Sequence, residues 1–172
     1  EVVSLAKTMT AYLENEEGTI ILIEGTLINT PLALADGEYS ATYEYLVPRA
    51  SFTSEANDYD SSYSVQSFLT IKYSTNSNTP TEYLLTGVSG YWKLLDTDVS
   101  VTKASLTYGC SGTFPVPVTQ NKTVAVSNNF NYSTGFSKYV ADPYAAVGAN
   151  LTLGLKHGTS TWNFKLVNNI VG

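Results

Sequence analysis

The chain is poor in the residues that most often carry chemistry. It has one cysteine, Cys110, and one histidine, His157, in 172 residues. A lone thiol closes no intramolecular disulfide. One Cys and one His rule out the standard zinc sets, which are built from several of these residues. A nucleophilic Ser or Cys would have His157 as its only imidazole base, and no serine stands in a G-x-S-x-G setting. A Cys–His pair requires Cys110 to meet His157 in space. Flanked by Gly109 and Gly112 near a strand end, Cys110 reads instead as a small buried or half-buried thiol.

Positive charge is also scarce. There are 9 Lys and Arg against 15 Asp and Glu, for a net charge of −6. A nucleic-acid binder needs a basic footprint to displace counterions from phosphates, and no stretch supplies one. A polybasic membrane patch is missing for the same reason. No apolar run reaches membrane-spanning length, so no membrane span is expected. There is no phosphate-cradling G-x-x-x-x-G-K, and no helix with an apolar stripe and caps. A disulfide-free chain suits a reducing compartment. The first residue is Glu1 and the polar residues are mostly uncharged, which points the other way. The expectation is a secreted or cell-surface protein whose signal peptide is already removed.

What the chain has is tyrosine and alternation. Only 14% of residues are charged, against roughly 25% in ordinary soluble domains. Ser, Thr and Asn take their place, and 13 residues are Tyr. Thr and Tyr suit a pleated sheet. In that composition the chain resembles exported β domains of bacteria.

Period-two patterning recurs along the whole length. "YSATYEYLV" puts Tyr39, Ala41, Tyr43, Tyr45 and Val47 on one face. "YSVQSFLTIKY" does the same with Tyr63, Val65, Leu69, Ile71 and Tyr73. "TIILIEGTLI" opens with a continuous apolar run, as a strand covered on both faces would. "EYLLTGVSGYWKLL" is apolar on both parities and reads as a central strand, with Gly87 and Gly90 marking a bulge or a close backbone approach. Tyr91 and Trp92 fall on opposite faces, so at most one belongs to the core. In "VSVTKASLTY" the apolar parity switches between Val101 and Ala104, which predicts a bulge near Lys103 or a strand that crosses between sheets. "KTVAVSNNFNY" aligns Val124, Val126, Phe130 and Tyr132. "PLALADGE" reads as a turn segment, and the two prolines of "GTFPVPVTQN" suggest an extended edge. "NLTLGLKHGTSTWNFKLVNN" reads as a hairpin: Leu151, Leu153 and Leu155 face Trp162, Phe164 and Leu166, with His157 and Gly158 in a solvated turn.

The prediction is one all-β domain over residues 1–172. Its fold class is an antiparallel β-sandwich, immunoglobulin-like or jelly-roll-like, with about eight to eleven strands; a closed barrel is the alternative.

Long loops are where function is sought. The residues Glu55, Asp58 and Asp60 of "EANDYD" offer oxygens that a calcium ion could use, although they lack EF-hand spacing. "DTD" offers Asp96 and Asp98, and "LENEEG" offers Glu14, Glu16 and Glu17. No other cofactor is implied. Tyr59, Tyr63, Tyr91, Tyr139 and Tyr144 are the candidates for ligand binding, because a tyrosine joins a flat apolar face to a polar tip. The function expected is a non-catalytic extracellular binding or adhesion module that recognises a glycan or a protein surface. Two alternatives stand beside it. One is a secreted effector or structural subunit acting by protein association, in an immunoglobulin-binding, toxin-like or assembly role, with edge-strand pairing as its mode. The other is a hydrolase using two carboxylates, for which any two acids roughly 5–10 Å apart would qualify.

Overall fold

The computed structural model describes residues 8–28, 32–35, 37–52, 62–78, 80–141 and 145–171. Strands dominate, and all their pairings are antiparallel. In chain order they are β1 (Thr8–Asn15), β2 (Ile20–Ile23), β3 (Gly25–Leu27), β4 (Leu32–Ala35), β5 (Glu38–Pro48), β6 (Tyr63–Asn76) and β7 (Glu82–Leu94). Then come β8 (Val99–Gly112), β9 (Asn121–Ala125), β10 (Asn129–Ser133), β11 (Val140–Ala141), β12 (Ala145–His157) and β13 (Ser160–Val171). A 3₁₀ turn at Arg49–Phe52 follows β5. Among the described residues no helix is long and apolar enough to cross a membrane.

Two sheets pack face to face as a β-sandwich. Sheet A has the order β2-β1-β13-β12-β8-β9. Sheet B has the order β10-β7-β6-β5-β3, with β11 also on β7 and β4 also on β5. Neither sheet closes on itself among the described residues, so the barrel alternative falls. The expected alternation holds on both inner faces. Sheet B contributes Tyr43, Tyr45, Val47, Leu69, Ile71 and Tyr73, and sheet A contributes Leu13, Leu151, Leu153, Leu155, Phe164 and Leu166, all buried. Each such side chain taken fully out of water contributes roughly 1.5–3 kcal/mol. The Tyr45 hydroxyl donates across the sandwich to Oδ1 of Asn168, tying sheet B to sheet A inside the core.

Among the described residues thirteen strands stand where about eight to eleven were expected, because several predicted units divide. "TIILIEGTLI" is one. It runs as β2 on sheet A, breaks at Glu24, and continues as β3 on sheet B. Among the described residues β2 pairs only with β1, so it is an edge, and the exposure of Ile20 and Leu22 shows that it is not covered on both faces. "KTVAVSNNFNY" divides likewise into β9 on sheet A and β10 on sheet B. "PLALADGE" is not merely a turn, since it holds β4, which pairs back onto β5. "GTFPVPV" is not an extended edge either. It forms a loop closed by reciprocal bonds between Gly112 and Val118, at 2.9 and 2.8 Å, and it includes a cis Phe114–Pro115 peptide.

Both expected irregularities are present. In the β8–β12 ladder Gly154 faces Lys103 and Leu155 faces Val101, which leaves Thr102 as the extra residue of a bulge. In the β6–β7 ladder Lys72 faces Gly87 and Tyr73 faces Leu85, which leaves Thr86 extra. That second bulge explains why β7 is apolar on both parities: Tyr83 and Leu85 point inward before it, Val88 and Trp92 after it. Gly90 is a close approach, since a Cβ there would lie 2.5 Å from the Phe68 carbonyl oxygen.

Candidate functional site

The candidate residues do not converge on one place. Tyr59, Tyr144, Glu55, Asp58 and Asp60 lie outside the described residues. Tyr139 is half-buried just before β11. Tyr63 is exposed where β6 begins, at one end of the sandwich. Tyr91 is exposed on the outer face of sheet B, five rungs along β6 from Tyr63. At about 3.3 Å per residue, that separation leaves them in different sites.

The outer face of sheet B is built from the polar parity of its strands. One rung runs Glu44, Phe68, Tyr91 and Asn129 across β5, β6, β7 and β10. The next rung toward one end carries Leu46, Gln66 and Lys93, and the next toward the other carries Thr42, Thr70, Ser89 and Asn131. Tyr91 is 39% exposed and stacks on Phe68, with ring centroids 4.5 Å apart and planes 22° from parallel. The Gln66 amide donates to the Glu44 carboxylate at 2.8 Å, and the Thr42 and Thr70 hydroxyls bond each other at 2.8 Å. A ring pair is thus presented on a hydroxyl and amide surface. Phe68 did not figure among the candidates. The signal lay in its parity, since it is the only large apolar residue alternating with Gln66, Thr70 and Lys72.

The second site is the end of the sandwich where β5, β7 and β12 finish. His157 is not the solvated turn residue expected. The hairpin turn itself is Gly158–Thr159, and Gly158 has a φ of +62°, as the first residue of a II′ turn requires. His157 is the last residue of β12, where its imidazole stacks on Phe52 with centroids 5.9 Å apart and planes 8° from parallel. The other side of Phe52's surroundings is Trp162, edge-on at 5.8 Å. Trp162 is half-buried, and its Nε1 is fully enclosed without a hydrogen-bond partner among the described residues.

Beside His157 lies the β7–β8 loop. Asp96, Asp98 and His157 each offer a ligand atom, and these atoms all lie within 4.8 Å of one another. The Asp96 side chain is only 8% exposed. Its carboxylate accepts the Asp98 backbone N–H at 2.9 Å, with the Ser64 hydroxyl at 3.4 Å and Arg49 Nε at 3.5 Å. Arg49, Ser62, Tyr63, Leu95, Asp96, Thr97 and Asp98 line an adjoining cavity of about 250 Å³.

A third, larger hollow of about 340 Å³ lies over sheet A. Its lining includes Gly154 and the bulge residue Thr102, with Glu14, Glu16, Lys103 and Asn163. Glu14 pairs with Lys165 at 3.6 Å, and Glu16 accepts a bond from the Thr161 hydroxyl. A hydrolytic pair needs carboxyl groups available on either side of a sugar ring. Here each is engaged by the protein's own cation or hydroxyl.

Cys110 and His157 do not meet. Cys110 is fully buried in β8 opposite Val147, while His157 ends the same β12 roughly 30 Å further on at about 3.3 Å per residue. Burial pushes the Cys110 thiol above its ordinary pKa, which keeps it protonated and inert.

No protein-family model matches the chain, and no curated protein and no solved structure matches it significantly.

Proposed function

We propose that the chain is a non-catalytic binding module of the cell exterior that takes a glycan on the outer face of sheet B, with Tyr91 as its stacking platform. One observation carries this: Tyr91 is exposed and braced from behind by Phe68 at 4.5 Å. A braced ring loses little freedom when a sugar's C–H face settles on it. The Glu44 carboxylate, the Gln66 and Asn129 amides and the Ser89 and Thr70 hydroxyls surround the pair on neighbouring rungs. Such groups bond sugar hydroxyls at the rim of a stacked ring. The low charge of the chain fits a neutral polar ligand.

The test is a glycan array followed by titration calorimetry on the retained sugar. Tyr91→Ala removes only a surface side chain, so the fold should persist. It should weaken binding roughly tenfold, the scale of one lost aromatic contact with its buried area. Retention of no glycan, or unchanged affinity in Tyr91→Ala, refutes the proposal.

A second reading, association with a protein by strand addition, is supported by β2. Among the described residues it is one of the two edges of sheet A, and its outward side chains Ile20 and Leu22 are 57% and 76% exposed. An apolar edge with an unpaired backbone is the usual template for an added strand.

A further inference from the structure

We infer that Asp96, Asp98 and His157 form a binding site for a divalent transition cation of the zinc class. The inference is independent of the glycan reading, since this site lies at the sandwich end and not on the outer face of sheet B. The donor set is not a standard zinc set, because carboxylates replace the missing Cys and His. Imidazole selects for zinc and its first-row neighbours over calcium and magnesium, and carboxylate oxygen is an accepted partner.

Three features bear on a cation. The first is the under-satisfied state of Asp96. A carboxylate has about four acceptor sites. The Asp96 side chain is only 8% exposed, yet among the described residues its carboxylate has one short contact, at 2.9 Å. Its other two polar neighbours stand at 3.4 and 3.5 Å. A buried anion so loosely matched favours a closer positive charge. The second is orientation. Phe52 holds the imidazole plane of His157 by stacking, and His157 faces Val99 in the β8–β12 ladder, which fixes its backbone beside the Asp96–Asp98 loop. The third is space. The cavity of about 250 Å³ beside Asp96 and Asp98 leaves room for water or an oxygen ligand at the remaining coordination positions.

A first-row cation holds its ligands at about 2.0–2.2 Å, which sets them about 3–3.5 Å apart. Donors within 4.8 Å must therefore draw in by roughly an ångström. Exposed Asp98 and half-buried His157 can move; Asp96 is the anchor. Arg49 opposes the ion. Its contact to Asp96 is through Nε at 3.5 Å and its side chain is half exposed, so it can swing away.

The experiment is calorimetric titration of tag-free protein with Zn²⁺, paired with the imidazole nitrogen spectrum. The chain has one histidine, so the ring signals need no assignment. One equivalent should bind and shift those signals. His157→Gln and Asp98→Asn should each lose roughly tenfold to hundredfold or more, since even an outer-shell partner of a metal is worth that much. Asp98 is exposed and His157 half-buried, and a single cooperative melting transition in each metal-free variant confirms that it folds, with a small loss of stability expected in His157→Gln from the lost Phe52 stacking. Arg49→Gln should strengthen binding roughly tenfold by removing a nearby like charge. No stoichiometric binding, unmoved imidazole signals, or equal affinity in His157→Gln overturns the assignment. Calcium binding that ignores His157→Gln overturns it as well, in favour of an oxygen-only site.

Discussion

At the scale of single residues, Phe52 is the ring that two others share at the sandwich end. It touches the His157 ring on one side and the Trp162 ring on another. The sequence alone shows Trp162 on the apolar stripe and His157 in a turn, which implies a large cost for losing one and almost none for the other. The structure narrows that gap. Trp162→Ala should cost about 3 kcal/mol, the low end for a buried aromatic, because the ring is only half-buried. His157→Ala should cost about 0.5–1.5 kcal/mol, the worth of a stacked ring pair. Urea unfolding of both variants checks this, and a cost for His157 near zero would mean that its contact with Phe52 contributes nothing in solution. The split of Tyr91 from Trp92 was legible in the sequence, because strand parity alone decides it. The placing of His157 against Phe52 and Asp96 was not. Those residues come from three separate connections, and period-two alternation says nothing about which chain ends meet.

At the scale of strands, parity was legible and sheet membership was not. The bulge at Thr102 could be read from the slip between Val101 and Ala104, because a bulge reverses which face the next residue takes. The switch of "TIILIEGTLI" from sheet A to sheet B could not. Residues of both sheets point inward, so the apolar pattern looks the same on either side of Glu24. This is also why β2 was mistaken for a covered strand. Its apolar run comes from Ile21 and Ile23 facing inward and Ile20 and Leu22 facing out. The protein-association reading gives β2 a test. Leu22→Lys places a charge on the exposed edge, a device that natural sheets use against pairing. It should abolish concentration-dependent association in sedimentation velocity while shifting stability by less than about 0.5 kcal/mol, as exposed substitutions do. If association persists in that variant, β2 is not the contact.

At the scale of the whole molecule, the core is unusual for its tyrosines. Tyr45 and Tyr73 are buried to 0% and 1% exposure, and burial is the main cause that pushes both well above the ordinary phenol pKa of about 10. In the unfolded chain these phenols ionise near pH 10, but the native core keeps them neutral. The unfolded state therefore binds fewer protons at high pH, and stability falls as pH rises through and beyond about 10. Below that it is fully present. Denaturation midpoints should be flat from about pH 8 to about pH 9.5 and then drop, and the last tyrosinate absorbance should appear only together with unfolding. Smooth titration of all 13 tyrosines in the folded protein would contradict the packing described.

The pairing of β1 with β13 has a mechanical consequence. Thr8 stands opposite Asn169, and the two strands run antiparallel from that rung to Asn15 and Trp162. A load applied at Thr8 and Asn169 would meet the ladder crosswise and part its rungs one after another, as a zipper opens, rather than shear them all at once. A module tethered by those two points would yield early under tension, whereas one held through sheet B would keep its β1–β13 seam out of the line of pull.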